Sequence, residues 1–252
     1  MKYYMNSEDF IAGTTMKETA VGELNNMALH VCENPETVIK NREQLAAELD
    51  CELSDFVCAN QTHSANFYKV TKADCGRGAF TLNNAIADTD ALYTYEKGIA
   101  LTSFSADCVP VLLYNEKSGV IAAIHSGWQG TVKEVTPKLL QQLIMVEEND
   151  PSSFHVYIGP ALSQQKFEVD FDVYEKFKAL GYADEFIYYK EETKKYHIDN
   201  QKTVKKQCEL AGIPSSHITI DPTCTYLDTH GFSYREDKGC GRHMSFIMKK
   251  KR

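Results

Sequence analysis

The chain has 252 residues, 43% hydrophobic, 25% charged and 11% aromatic, a balance that excludes fibrous, coiled-coil and disordered classes and suffices for a sizeable core. Its formal charge is −8, from 27 Lys and Arg against 35 Asp and Glu, so nothing global attracts a phosphate polymer and nucleic acid is not an expected partner. No repeat or low-complexity linker divides the sequence, and a single domain over 1–252 is the simplest account.

The first nine residues meet acidic and polar side chains before any apolar run, unlike a secretory signal, and no window reaches the length of a membrane span. The expectation is a cytoplasmic protein with no membrane partner. Asn34 and Pro35 then open a helix over 36–50, with an Asn cap and a proline where the first turn tolerates it. At about 100° per residue, Val38, Arg42, Leu45 and Leu49 share one stripe. Arg42 therefore lies among apolar residues, and either its head snorkels to water or its guanidinium is aimed at an internal anion.

A short apolar strand over 56–59 runs into Asn60-Gln61-Thr62-His63, and a strand over 99–104 is broken by Ser105-Ala106-Asp107-Cys108. Segments 109–114 and 120–124 read as a hairpin, with His125 at its end. His125-Ser126-Gly127-Trp128-Gln129-Gly130 is a glycine-bearing loop, after which Thr131-Val132-Lys133-Glu134 has the form of a capping box. The helix it opens, striped by Val132, Val135, Leu139 and Leu143, should kink at Pro137. Further along come a strand over 154–158, helices over 173–180 and 202–211 ended by Gly181 and Gly212, a strand over 218–220 and a closing strand over 246–248. The basic end Lys249-Lys250-Lys251-Arg252 reads as a solvated tail. Strands and helices interleave throughout, so the class is α/β with a mixed sheet, and ligands are expected beyond the strand ends.

None of the eight cysteines stands in a C-x-x-C spacing. In a reducing compartment they stay unpaired, most of them as small buried core residues. His63, Cys108 and His125 each follow an apolar strand at a turn, so three donors could converge on one rim. Two imidazoles and a thiolate suit Zn²⁺ with an open fourth position, and Cu²⁺ would accept the same set; a hydrogen-bonded core role is the common alternative for such residues. The helix start near Thr131 offers free N–H groups to a phosphate, as any exposed helix start does. Asp107, Asp88 and Asp90 are acidic candidates for proton transfer, with loop ordering as the alternative for Asp88 and Asp90. Arg235 and Arg242, near glycines, could grip an anion or lie on the surface.

Gln61-Thr62-His63-Ser64, Asp88-Thr89-Asp90-Ala91-Leu92, Ala106-Asp107-Cys108-Val109-Pro110-Val111, His125 to Thr131, Ile158-Gly159-Pro160, Cys224-Thr225, Phe232-Ser233-Tyr234-Arg235 and Gly241-Arg242 stand in this order along the chain. In that order they resemble the YfiH family, also called laccase-domain or multicopper polyphenol oxidoreductase proteins, from about Asn41-Arg42 to the last strand. The resemblance implies a single-domain layered α/β/α sandwich and a zinc site made by His63, Cys108 and His125. Members are similar to enzymes that cleave adenosine, inosine and methylthioadenosine with phosphate and deaminate adenosine; copper-dependent phenol oxidases and a peptidoglycan-precursor editing hydrolase are also described. Gln129 stands where an arginine is common, and Thr62 and Ser64 depart from the frequent Gln-Val-His-Gly.

On this reading a purine nucleoside and phosphate are the partners. Zinc activates water for attack on the purine C6. Arg42, with Arg235 or Arg242, balances the phosphate charge, while Asp90 or Asp107 moves the proton. A non-enzymatic module in which zinc is structural is the alternative, and a fourth protein ligand would mark it. Sequence does not address oligomeric state.

Overall fold

The computed structural model describes residues 1–251. In chain order its elements are β1 (Lys2–Asn6), β2 (Phe10–Thr14), α1 (Pro35–Glu48), β3 (Phe56–Val57), β4 (Phe67–Lys69), β5 (Ala91–Thr94), β6 (Ala100–Ser105), β7 (Val109–Asn115), β8 (Ile121–Ser126), α2 (Trp128–Val132) and α3 (Val135–Gln141). There follow β9 (Phe154–Ile158), β10 (Glu168–Val169), α4 (Phe171–Lys178), β11 (Ile187–Lys190), β12 (Lys195–Ile198), α5 (Asn200–Leu210), β13 (Ile218–Ile220) and β14 (His243–Lys249).

The class is α/β with mixed sheets, and the middle of the sandwich is two sheets rather than one. One sheet runs β1-β2-β14-β6-β3 and the other β13-β9-β7-β8-β5-β4. Each mixes antiparallel pairs with parallel ones, β3 against β6 in the first, and β9 against β13 and β4 against β5 in the second. Leu101 and Ile247 of the first sheet meet Leu92, Leu112 and Ile121 of the second in a shared apolar layer. On the far faces, α1 packs Leu45 and Leu49 against Phe56 and Phe246, while α3 and α5 pack Leu139 and Val204 against Val111 and Val156. Strands with both faces covered read as near-continuous apolar runs, which is why β6, β7 and β8 are legible in sequence. A third sheet, β10-β12-β11, forms a satellite with α4 around Phe167, Phe177 and Ile198.

Local signals explain several element ends. The Asn34 side chain accepts from the backbone N–H groups of Glu36 and Thr37 and caps α1. Gly181 and Gly212 adopt φ of +76° and +93° just after α4 and α5, the left-handed stop that glycine supplies.

Four expectations are corrected. The helix after His125 starts at Trp128, not Thr131: the Thr131 hydroxyl bonds Ser126 Oγ at 2.9 Å instead of capping, and Glu134 takes φ 61° at a break between α2 and α3. Pro137 consequently falls in the first turn of α3, where its missing N–H costs no hydrogen bond. The basic end is anchored, since Lys249 closes β14, Lys250 donates to Asn6 Oδ1 at 2.9 Å and Lys251 pairs with Asp55 at 2.8 Å; Arg252 lies outside the described residues. Finally, all eight cysteines are free, but only Cys58, Cys208 and Cys224 are buried. Strands β1, β2, β4, β5, β10, β11 and β12 went unread, because each is five residues or shorter and too brief to establish a period.

His243 in β14 is completely buried; Nδ1–H donates to the Thr15 carbonyl at 2.8 Å and Nε2 accepts from the Phe232 N–H at 2.7 Å. Burial pushes its imidazole down to about 4. Below pH 6.5 the unfolded chain takes up a proton that the folded chain excludes, so this stabilisation is complete above pH 6.5 and drains as pH falls toward 4. Urea unfolding at pH 7.5 and 4.5 is expected to show a loss of roughly 2–3 kcal/mol from this group, much reduced in His243→Gln. Equal losses in both proteins would refute the assignment.

Candidate metal centre

His63, Cys108 and His125 converge, their ligand atoms all within 4.8 Å of one another. His125 lies in β8, paired across the strand with Pro110 of β7, so the β7–β8 register carries it beside Cys108 at the β6–β7 turn. His63 arrives from the segment after β3. His63 and Asp107 take φ of 58° and 85°, conformations costly for non-glycine residues and typical of functional sites. The His63 conformation is secured from behind, where Lys133 Nζ donates to its carbonyl at 2.6 Å. Gly127 leaves the room: a Cβ there would lie 2.8 Å from both Cys108 Sγ and His63 Cδ2.

The electrostatics suit a cation. Burial pushes the Cys108 thiol up, but His125 and His63 outweigh it and hold the thiol at about 6. Burial likewise pushes His125 down, and Cys108 and Asp90 overcome it to raise the imidazole to about 9. A thiolate beside an imidazolium is the metal-free form of a site that a dication would occupy with both groups deprotonated.

Asp90 stands behind the cluster. Its Oδ1 accepts from His125 Nδ1 at 2.8 Å and from the His63 N–H at 3.1 Å, and its Oδ2 from the Thr62 and Ser64 N–H groups and the Ser64 hydroxyl. Burial pushes the carboxyl up, but these donors hold it at about 2. The Asp90 side chain has no exposure and is turned toward His125. Asp88 orders the same loop, accepting from the Thr62 hydroxyl and the Asn66 amide. Because Asp90 fixes the His125 tautomer with Nε2 free, Asp90→Asn is expected to weaken metal affinity by about 10- to 100-fold. Chelator competition measures it, and affinity within twofold of wild type would refute it.

The cluster opens into a cavity of 780 Å³, the size of a small-molecule site. Asp107 is on its wall, its Oδ1 accepting from the Thr225 hydroxyl and its Oδ2 from the Arg235 N–H, both at 2.7 Å. Arg42, Arg235 and Arg242 also line the cavity. Arg42 does not snorkel: it is 1% exposed, and Nε and Nη1 donate to the carbonyls of Met27, Gly78 and Ala79. Nη2 takes no part in these three bonds. Arg235 donates to the Lys166 and Glu168 carbonyls, and Arg242 to those of Cys240 and Gly241. The start of α2 is too short to serve as the anion seat imagined at Thr131, and Gln129 does not line the cavity. His30, Ser105, Trp128 and Asn200 do; Trp128 belongs to the His125-to-Thr131 motif, whereas no motif announces His30, Ser105 or Asn200, the last of which opens α5 just after its cap Asp199.

No fourth His, Cys, Asp or Glu joins the three donors among the described residues, which leaves an open side as in catalytic zinc sites. The donor set fits a single borderline-soft dication.

The sequence family described as multi-copper polyphenol oxidoreductase laccase matches residues 13–250. A protein of Bacillus subtilis strain 168 named purine nucleoside phosphorylase YlmD is 34% identical over 248 residues, which cover 96% of this chain and 89% of that protein. Among solved structures, the Bacillus licheniformis hypothetical protein YfiH superposes with a TM-score of 0.91 at 30% identity, covering 98% of this chain and 99% of its own. YlmD from Geobacillus stearothermophilus gives 0.90 at 29% identity, with 99% of each chain covered.

Proposed function

The chain belongs to the multi-copper polyphenol oxidoreductase laccase family, and from that premise we propose that it is a zinc-dependent purine nucleoside phosphorylase. It cleaves adenosine, inosine and methylthioadenosine to the free base and the sugar 1-phosphate, and deaminates adenosine as a side activity. The observation that carries this reading is the union, in one cavity, of an open-sided His63–Cys108–His125 cluster and a wall of arginines. The names of the similar Bacillus and Geobacillus proteins point the same way.

Bound by these three residues, zinc supplies Lewis acidity toward a ligand atom on the open side. Asp90 keeps His125 oriented for that duty. Arg42, through Nη2, and Arg235 and Arg242, through donors not spent on carbonyls, hold a phosphate dianion against the sugar. A phosphate oxygen bonds to C1′ as the C1′–N9 bond breaks. The electron pair leaves with the purine, which takes up a proton through Asp107. One three-donor cluster serves one ion, whereas multi-electron reduction of O₂ calls for several coppers, so the donor set favours nucleoside chemistry over phenol oxidation. Free thiols on eight cysteines fit a cytoplasmic setting.

Zinc-loaded protein incubated with adenosine, with and without phosphate, tests the reading by chromatography of the products. Adenine and ribose 1-phosphate are expected only with phosphate, and inosine in both samples. Adenosine unchanged in both would discard it.

A further inference from the structure

We propose that Asn200 and Ser105 form the polar subsite that recognises a hydrogen-bond donor of the nucleoside, an inference that rests on the purine nucleoside reading and extends it to the residues that read the ligand. Both side chains line the cavity and both are almost wholly buried, Asn200 at 5% and Ser105 at 2% exposure. Each nevertheless holds a polar atom without a partner, Asn200 Oδ1 and Ser105 Oγ. Folded proteins leave few such atoms, because a buried unpaired group forfeits the hydrogen bonds it made in water. Of the seven orphaned side-chain atoms among the described residues, these two belong to residues lining this cavity.

Their chemistry is determined by their surroundings. Asn200 Nδ2 donates to the Ser126 carbonyl at 3.2 Å. A carbonyl only accepts, so the amide cannot turn over, and Oδ1 is committed to accepting a hydrogen bond. Ser126 stands between His125 and Gly127, which places this acceptor beside the metal cluster. Ser105 ends β6 three residues before Cys108, lines the same cavity and carries a buried hydroxyl free to donate or accept. The cavity is therefore polarised: phosphate, rich in acceptor oxygens, is drawn to the arginines and repelled by Asn200 Oδ1, whereas a neutral donor is drawn to Asn200. Adenosine offers two kinds of such donor, the exocyclic amine and the ribose hydroxyls. A site built around an acceptor discriminates against ligands that lack the donor, since its own atom is then left unpaired.

The single tryptophan of the chain, Trp128, lines the cavity, so its fluorescence, read within the mixing time, reports binding before adenosine is deaminated. Adenosine, purine riboside (no amine), and 2′- and 3′-deoxyadenosine (one hydroxyl fewer) are titrated without phosphate into zinc-loaded wild type, Asn200→Ala and Ser105→Ala. Each variant is expected to weaken adenosine by about tenfold or more. The analogue whose affinity Asn200→Ala leaves unchanged identifies the donor as the amine or as one hydroxyl. Ser105→Ala removes an atom that bonds nothing in the protein, so its ligand-free melting temperature should equal or exceed that of wild type, which keeps the test valid even if Asn200→Ala folds poorly. Adenosine affinity within twofold of wild type in both variants, or equal weakening of all four ligands by Asn200→Ala, would overturn the subsite. The expected binding pattern without phosphorolysis would reject the phosphorylase reading and leave the subsite standing. Phosphorolysis indifferent to both residues would reject the subsite alone. No binding and no cleavage of any nucleoside would reject both.

Discussion

Replacing Cys108 by alanine is expected to remove stoichiometric zinc and to lower phosphate-dependent cleavage of adenosine by about 10³-fold, the several kcal/mol that a bound Lewis acid contributes to a barrier. Cys108 is the only thiol of the cluster, and without it two imidazoles remain, too few to close three sides of a tetrahedral ion. The side chain carries no backbone hydrogen bond of the fold, so metal-free melting should move little. Metal content after dialysis and initial rates measured on the same preparation check the prediction. A variant that holds one equivalent of zinc, or one that loses zinc yet keeps its rate, would contradict the assignment of the cluster.

Arg42→Ala should strike the fold rather than the metal. Three carbonyls from two separate segments, Met27 on one and Gly78 with Ala79 on the other, depend on this guanidinium. It also lies over the Phe104 ring at 5.1 Å. Each buried acceptor left unpaired costs about 1–3 kcal/mol, so the loss should reach roughly 3–5 kcal/mol and lower the melting temperature by about 10 °C in a chain of this size. Metal content is expected to stay at one equivalent, and the Michaelis constant for phosphate to rise if Nη2 contacts it. Melting within about 2 °C of wild type would show that the three carbonyls find other donors. Arg42→Lys, which retains a charge but presents one compact donor group, should recover only part of the stability.

Cys108 and His125 were readable because they stand at the β6–β7 turn and near the end of β8, and strand ends are where an α/β sheet exposes side chains to a ligand, whereas His63 reaches the cluster from the segment after β3. Asp90 shows where such reading stops. Its neighbours in sequence announce a turn, but its role comes from His63, Ser64 and His125, 26 to 35 residues away. Thr131 to Glu134 satisfies the capping-box pattern, and still the helix begins three residues earlier, because the Thr131 hydroxyl finds Ser126. A local motif states a preference worth about 1 kcal/mol, and one buried tertiary hydrogen bond is enough to redirect it. The edge strands β1 and β11 escaped for a related reason: a strand at a sheet edge, partly exposed to water, needs no strict apolar pattern.

By itself the sequence determined the α/β class, the strands β3, β6 to β9, β13 and β14, and the Asn34-capped helix, and it offered His63, Cys108 and His125 as three donors that could converge. These follow from periodicity, capping chemistry and residue type, all of which act within a few residues along the chain. Tertiary structure alone decided that the strands divide into two facing sheets, that Arg42 clasps three carbonyls, that Asp90 supports His125, and that Asn200 and Ser105 hold unpaired atoms against the cavity. Each of these depends on which distant segments meet, and hydrogen-bond partners brought together by packing leave no periodic trace in the order of the residues.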